Sequence, residues 1–381
     1  MNQEQLTTTI IMLLDSERTL TVNWGDGHQS LFHYVWLRDN CPCPQSRHAS
    51  GQRLVETAAI PLDIRPHSLH VDESGAIAVV WANDGHTSRY EAAWLRAHCY
   101  APAEQARRRQ RPLLWEATLM DRGLPRGNYR EIASDNGALR EWLALVKSHG
   151  FAILHGVPTE PGMVTEVVAL FGYVRETNYG RLFDVKSVAD PINLAYTGLA
   201  LGAHTDNPYR DPVPTLQLLH CLTSSAEGGD STLVDGFGLA DFLRQEEPES
   251  FRLLSTLPVR FRFRSDDTDL STEFPLIQLD AQGEVAGVRF NNRSAAPFAF
   301  APDLIEPYYR AYQRFASLLD DQRFQVRFKL APGDLFIVDN TRVLHGRTGF
   351  ASAGERHLQG CYADRDGLYS RLAVLSRQLT A

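Results

Sequence analysis

No segment of this 381-residue chain approaches the roughly 20 consecutive apolar residues of a membrane span, so no spanning helix is expected. The longest early apolar run, Ile10-Ile11-Met12-Leu13-Leu14, is too short and too acidic-flanked for a signal-peptide core, and it reads as a strand of a cytoplasmic protein. Cysteine is scarce. Five residues, an odd number dispersed along the chain, provide no disulfide framework and fit a reducing compartment. Positive charge is short as well: 38 Lys and Arg against 46 Asp and Glu leave a net charge of −8 and no basic face for a phosphate backbone, which argues against a nucleic-acid partner. Apolar material is not lacking. With 43% hydrophobic and 22% charged residues, the chain can bury a sizeable core.

At this length a single core is unusual, so a small domain over residues 1–105 and a larger one over residues 106–381 are expected. The first part reads as β-rich: residues 19–24 alternate, Gly25-Asp26-Gly27 turns, residues 31–37 resume the pattern, and a second hairpin follows at 69–90. A helical stretch at 90–100 and the Arg-rich residues 105–111 make the connector. Beyond it, residues 139–148 have helical periodicity, Gly150 stands where a C-cap belongs, residues 151–154 restart as a buried strand, and 163–171 form another helix. From residue 215 short strand-like runs dominate, interrupted by a helix pair near 239–254 and a helix at 305–319. The pattern predicts a mostly β fold with flanking helices, a double-stranded β-helix or jelly roll, rather than a doubly wound α/β sheet.

The segment Ala203-His204-Thr205-Asp206 places an imidazole and a carboxylate two apart, hence on one face if the segment is a strand. His345, in Val343-Leu344-His345-Gly346 after the apolar run 335–338, is the candidate third ligand. Two imidazoles and one carboxylate on one face of an octahedral ion leave positions open, as in non-heme Fe(II) oxygenases. Among thirteen histidines a lone His-x-Asp also arises by chance, so context carries the weight. Arg356 begins the strand-like His357-Leu358-Gln359-Gly360 and would bring a guanidinium beside the metal, a natural receptor for a dicarboxylate's distal end. The plainer alternative is a surface arginine at a strand start.

The order His204, Asp206, His345, Arg356, with Glu227-Gly228-Gly229-Asp230-Ser231, resembles the taurine dioxygenase superfamily. Within it the chain resembles the γ-butyrobetaine hydroxylase family over nearly its whole length. The matching motifs are Trp36-Leu37-Arg38-Asp39-Asn40-Cys41-Pro42-Cys43, Leu219-His220-Cys221, Val234-Asp235-Gly236-Phe237, Phe290-Asn291-Asn292 and Arg356-His357-Leu358-Gln359-Gly360-Cys361-Tyr362-Ala363-Asp364. The resemblance implies a jelly-roll catalytic domain using Fe(II), 2-oxoglutarate and O2, and a small N-terminal zinc-binding domain that contributes to a homodimer. It places Ser231 where the superfamily often has a hydroxyl near the cosubstrate.

The resemblance also implies a small zwitterionic quaternary-ammonium substrate. Such a cation has no proton to donate, so it is held by apolar contact and the negative faces of aromatic rings. The family's cage positions match Tyr179, Phe183, Tyr196 and Tyr362, and its anion-binding amides match Asn193 and Asn292. Each ring taken singly is otherwise a core residue. The chain departs from animal γ-butyrobetaine hydroxylases at Asn207, where those have tyrosine, and at Arg293, where those have a small residue. A guanidinium and a short amide suit a doubly charged tetrahedral group better than a planar monoanion. The pattern resembles the (2-trimethylamino)ethylphosphonate dioxygenases of organophosphonate catabolism, so hydroxylation of that phosphonate at carbon 1 is the favoured expectation. The runner-up is γ-butyrobetaine to carnitine, and a non-catalytic jelly-roll binding module is the alternative of another class. Solvent-facing Arg293 and Asn207, or a local ion pair, would be the plainer reading of the two departures. For zinc, Cys41, Cys43 and His86 match the family's ligands, but Ser46 stands where relatives have a third cysteine. His48 is the candidate substitute in a rearranged loop; otherwise these are two buried thiols and a surface histidine.

Overall fold

The computed structural model describes residues 7–109, 111–186, 199–351 and 354–380. The chain divides into two compact units, Met1–Arg111 and Pro112–Ala381.

The first unit holds two antiparallel three-stranded sheets, Ile10–Asp15, Thr19–Trp24 and Gln29–His33, then Pro66–Val71, Ile77–Trp81 and Thr87–Tyr90. Period-two burial drives both: Leu20, Val22 and Trp24 from the first sheet and Ile77, Val79 and Trp81 from the second share one core. Each buried indole would strand an N–H, and each is met by a serine on the next strand, Trp24 by Ser30 at 2.9 Å and Trp81 by Ser88 at 2.8 Å. The unit runs past residue 105 because the helix Pro102–Arg108 turns Glu104 inward, 3.7 Å from Arg96.

In the second unit the larger sheet orders Phe183–Lys186, Arg356–Ala363, Leu216–Ser224, Leu335–Asp339, Phe151–His155 and Arg126–Asn128. The smaller sheet orders Leu201–His204, Val343–Arg347, Ser231–Asp235 and Gln325–Phe328. Pairing within both sheets is antiparallel apart from Arg126–Asn128 on Phe151–His155. The fold is a jelly roll. Phe151, Ile153, Leu219, Phe336 and Leu358 of the larger sheet meet Leu233, Val326 and Val343 of the smaller. Alternate residues of the same strands, Ala152, Leu154, Leu218 and Ile337, pack instead under the helices Asn136–His149 and Arg365–Thr380. Burial on both faces is why residues 216–222 read as a nearly unbroken apolar run.

The helix Asn136–His149 starts where the Asp135 carboxylate accepts the Ala138 N–H at 2.6 Å. It ends at Gly150, φ 77, the left-handed cap expected there. At the mouth of the smaller sheet a buried ion pair sets geometry. Asp235 caps the helix Gly236–Glu246 through Phe237 N–H at 3.1 Å and accepts Arg342 Nε at 3.0 Å and Nη2 at 2.8 Å. The Leu113 and Ser148 carbonyls, at 2.6 and 2.9 Å, accept two further guanidinium N–H groups. A buried pair so fully satisfied is costly to break, about 3–5 kcal/mol when one partner is removed, and it stands one residue before the strand Val343–Arg347. Among the described residues no helix is long and apolar enough to cross a membrane.

Candidate active site

Antiparallel pairing of Leu201–His204 with Val343–Arg347 sets His204 directly opposite His345, their ring centroids 4.6 Å apart. The expectation that Asp206 shares the strand of His204 does not hold, because that strand ends at His204. Asp206 stands in the loop beyond, pinned from a distant part of the chain. Asn340 Oδ1 accepts the Asp206 N–H at 2.7 Å, and Asn340 Nδ2 donates to the Asp206 carbonyl at 2.9 Å. Asp206 Oδ1 then lies 3.2 Å from His204 Nε2, Oδ2 lies 3.9 Å from His345 Nε2, and the three ligand atoms fall within 4.8 Å of one another.

Surrounding groups orient this triad. The Gly202 carbonyl, 2.9 Å from His204 Nδ1, takes the proton there and leaves Nε2 facing Asp206. Gln217 Nε2 at 2.5 Å and Tyr362 Oη at 2.8 Å donate to Asp206 Oδ2. Burial pushes the Asp206 carboxyl up, but the two neighbouring imidazoles and the hydrogen bond from Tyr362 outweigh it and hold it below the usual carboxylate range. Burial, with the charges of His204 and Arg293 adding, pushes the His345 imidazole down to about 3. An ionised carboxylate between two imidazoles able to coordinate is a donor set that fits a ferrous ion with positions left open.

Arg356 begins its strand buried, 8% exposed, and has no ion-pair partner among the described residues. Burial lowers its pKa. The loop carrying Gly229 passes so close that a Cβ there, at φ 72, would fall 2.9 Å from Arg356 Nε, which explains the paired glycines of the Glu227-Gly228-Gly229 motif. Arg347, also buried, lies over the Phe350 ring as Arg356 does, at 5.4 and 5.5 Å from its centroid. Burial and the Arg356 and Arg293 charges push Arg347 down to about 10.

The triad and Arg356 open on one cavity of about 500 Å³, also lined by Tyr179, Phe183, Asn207, Ser231, Arg293 and Tyr362. Phe183 and Tyr362 pack with centroids 5.0 Å apart, and Phe183 lies against the backbone of Gly360, where a Cβ would come within 2.5 Å of the ring. Arg293 is exposed at the cavity, without an ion-pair partner among the described residues, and partial desolvation lowers its pKa while Asp206 opposes that shift. Not every expected residue arrives. Asn292 is exposed and accepts a hydrogen bond from Tyr312 at 3.2 Å, while its neighbour Asn291 lines the cavity. Asn193 and Tyr196 lie outside the described residues.

Sequence reasoning missed Tyr209, Phe263, Gln217, Asn340 and Arg347. Tyr209 Oη lies 2.9 Å from both Tyr179 Oη and Asn207 Oδ1, and Phe263 stacks on Tyr209 with centroids 5.2 Å apart. A signal existed for Gln217, a lone amide inside the apolar run Leu216-Gln217-Leu218-Leu219. None marked Asn340, which acts across 134 residues.

In the first unit Cys41 Sγ and Cys43 Sγ lie 3.3 and 3.4 Å from His86 Nε2, a cluster able to hold a metal. Burial raises the Cys41 thiol, whereas Ser46 and Cys41 lower Cys43 against its own burial. Ser46 is buried, its Oγ accepting from Arg38 Nη1 at 3.3 Å. His48 does not join: its Nδ1 lies 2.8 Å from Ser50 Oγ, so a turn within its own loop takes the ring away.

Residues 111–362 match the family described as taurine catabolism dioxygenase TauD, TfdA family, and residues 11–96 match one described as gamma-butyrobetaine hydroxylase-like, N-terminal. The chain is 42% identical over 363 residues to the gamma-butyrobetaine dioxygenase of Pseudomonas sp. (strain AK-1), with 94% of each chain covered. Identity to the gamma-butyrobetaine dioxygenase of Homo sapiens is 33% over 379 residues, 96% of each. Identity to the trimethyllysine dioxygenase of Meyerozyma guilliermondii is 32% over 376 residues, 94% of this chain and 93% of that one.

Proposed function

The chain belongs to the TauD/TfdA family, as a 2-oxoglutarate-dependent dioxygenase that uses iron, and on that premise we propose that it hydroxylates a small trimethylammonium zwitterion. The favoured substrate is (2-trimethylamino)ethylphosphonate, converted to its 1-hydroxy derivative. In this reading His204, Asp206 and His345 hold Fe(II), and Arg356 takes the distal carboxylate of 2-oxoglutarate, with the Ser231 hydroxyl beside it. Iron and 2-oxoglutarate supply the O2 chemistry, in which one oxygen atom leaves in succinate, the other enters the substrate, and CO2 is released. The chain's own residues decide which C–H is presented. Tyr179, Phe183 and Tyr362, joined by Tyr196, give ring faces to the trimethylammonium group. Arg293 and Asn207, with Asn193, Asn292 or its cavity-lining neighbour Asn291, receive the anionic end. A molecule held at both ends exposes the carbon between them.

The observation that carries the phosphonate reading is the Arg293 guanidinium, at the cavity and unpaired among the described residues. Ferrous iron and Arg356 together balance Asp206 and a bound 2-oxoglutarate dianion in formal charge. Arg293 then remains, and together with the substrate's own trimethylammonium cation it is matched in formal charge by a dianionic phosphonate but not by a carboxylate. The second reading, γ-butyrobetaine to carnitine, is favoured by the 42% identity to the Pseudomonas enzyme of that name. Succinate formation measured with both zwitterions side by side separates them. The phosphonate is expected to give the higher kcat/KM by at least about tenfold, and Arg293→Ala to erase most of that margin. Equal loss on both substrates would remove the basis of the phosphonate reading.

For the first unit we propose a structural zinc held by Cys41, Cys43 and His86, with the buried Ser46 hydroxyl or a water at the fourth position. Elemental analysis of the purified protein should find one zinc per chain that Cys43→Ala removes. A metal-free native protein rules the site out.

A further inference from the structure

Tyr179, Tyr209 and Asn207 form a line of hydrogen bonds whose direction the chemistry settles. Asn207 Oδ1 has only lone pairs, so Tyr209 Oη, 2.9 Å away, donates to it. A phenol has one proton to give, so the Tyr209 oxygen accepts from Tyr179 Oη, also 2.9 Å away. Both phenols stay protonated, since burial raises their pKa values. The line therefore runs from an aromatic wall of the cavity to the amide beside Asp206. It leaves Asn207 Nδ2 as the free end, buried and without a hydrogen-bond partner among the described residues. Asn207 itself holds a left-handed backbone, φ 53, at the cavity wall, a conformation asparagine tolerates better than most residues.

We propose that Tyr209 is a positioning residue that determines the sign of the group Asn207 offers to the substrate. With Tyr209 donating to Oδ1, the amide keeps its N–H for an anionic oxygen. With the amide turned over, Nδ2 is spent on Tyr209 and a carbonyl oxygen faces the anion instead. Phe263, stacked on the Tyr209 ring at 5.2 Å, fixes the ring that carries the hydroxyl. The ammonium end and the anionic end are thereby linked, because the hydrogen bond that Tyr179 donates to Tyr209 determines which way the amide lies. This rests on the reading of Asn207 as part of the anion clamp.

Tyr209→Phe removes one oxygen and keeps the ring. The KM for the zwitterion, measured with γ-butyrobetaine and with (2-trimethylamino)ethylphosphonate, is expected to rise about tenfold, while the KM for 2-oxoglutarate stays put as the internal control. Asn207→Gly removes the amide without straining the backbone, and in that background Tyr209→Phe should add nothing. An unmoved zwitterion KM in Tyr209→Phe, or the same increment with and without the amide, overturns the inference alone. If Asn207→Gly itself leaves the zwitterion KM unchanged, the anion-clamp reading falls and takes the inference with it. Should Tyr209→Phe not fold, Asn207→Asp carries the test. It keeps the bond from Tyr209 but replaces the N–H by a charged acceptor, so the zwitterion KM must rise at least as far as in Asn207→Gly, and a smaller rise overturns the inference.

Discussion

Replacing His345 by alanine lowers 2-oxoglutarate-dependent succinate formation by about three orders of magnitude or more, because it removes one of three ligands around a single catalytic ion. The loss should not come from unfolding. His345 lies on a central strand of the smaller sheet, whose entry is held by the Asp235–Arg342 pair and whose neighbours Val343 and Leu344 supply the packing. Alanine there leaves those contacts in place. Two measurements check it together: iron retained per chain after dialysis, expected to collapse, and the thermal midpoint of the metal-free protein, expected to move by only a few degrees. Iron retention equal to that of the unaltered protein would show that the ion is held elsewhere.

Arg356→Ala is expected to raise the KM for 2-oxoglutarate about a hundredfold, since truncating one partner of a buried charge-assisted pair costs roughly 2–5 kcal/mol. The effect should be confined to the cosubstrate, with the zwitterion KM changing far less. Arg356→Lys should recover only part of the loss, because an ammonium cannot reproduce a two-pronged contact with a carboxylate. An unchanged KM in Arg356→Ala would move the anchoring role to Arg347, the other buried guanidinium on the Phe350 ring.

Some of what sequence reasoning reached rests on local spacing, while His345 and the cavity residues Tyr179, Phe183, Asn207, Arg293 and Tyr362 came through motif context and resemblance. His204 and Asp206 are two residues apart, Arg356 stands at the start of a readable strand, and Gly150 ends a helix whose periodicity is plain. What it missed depends on tertiary contact. Asp206 lies beyond its strand, and the Asn340 amide that pins it comes from a distant turn between two strands. Asn292 was expected in the pocket, but Asn291 lines it, since a shift of one residue in a loop exchanges which side chain faces inward. Tyr209, in Asn207-Pro208-Tyr209, reads as a turn aromatic, and only the folded chain shows its hydroxyl against Asn207. The jelly roll itself was legible because many short apolar runs separated by turn residues have few other solutions. The double-sided burial of Leu216–Ser224 was not, since an unbroken apolar run does not say which residue faces which layer.

Gly360 touches Phe183 from the neighbouring strand, its backbone pressed against the ring edge. If Phe183 belongs to the cage as proposed, the room left for three methyl groups is governed by a residue outside the cavity lining. Any side chain at that position would drive the aromatic inward and narrow the berth, and a wider ring at 183 would have to grow toward the ligand. Changes in acceptable cation size along this lineage would then have to occur in pairs, one in the wall and one behind it.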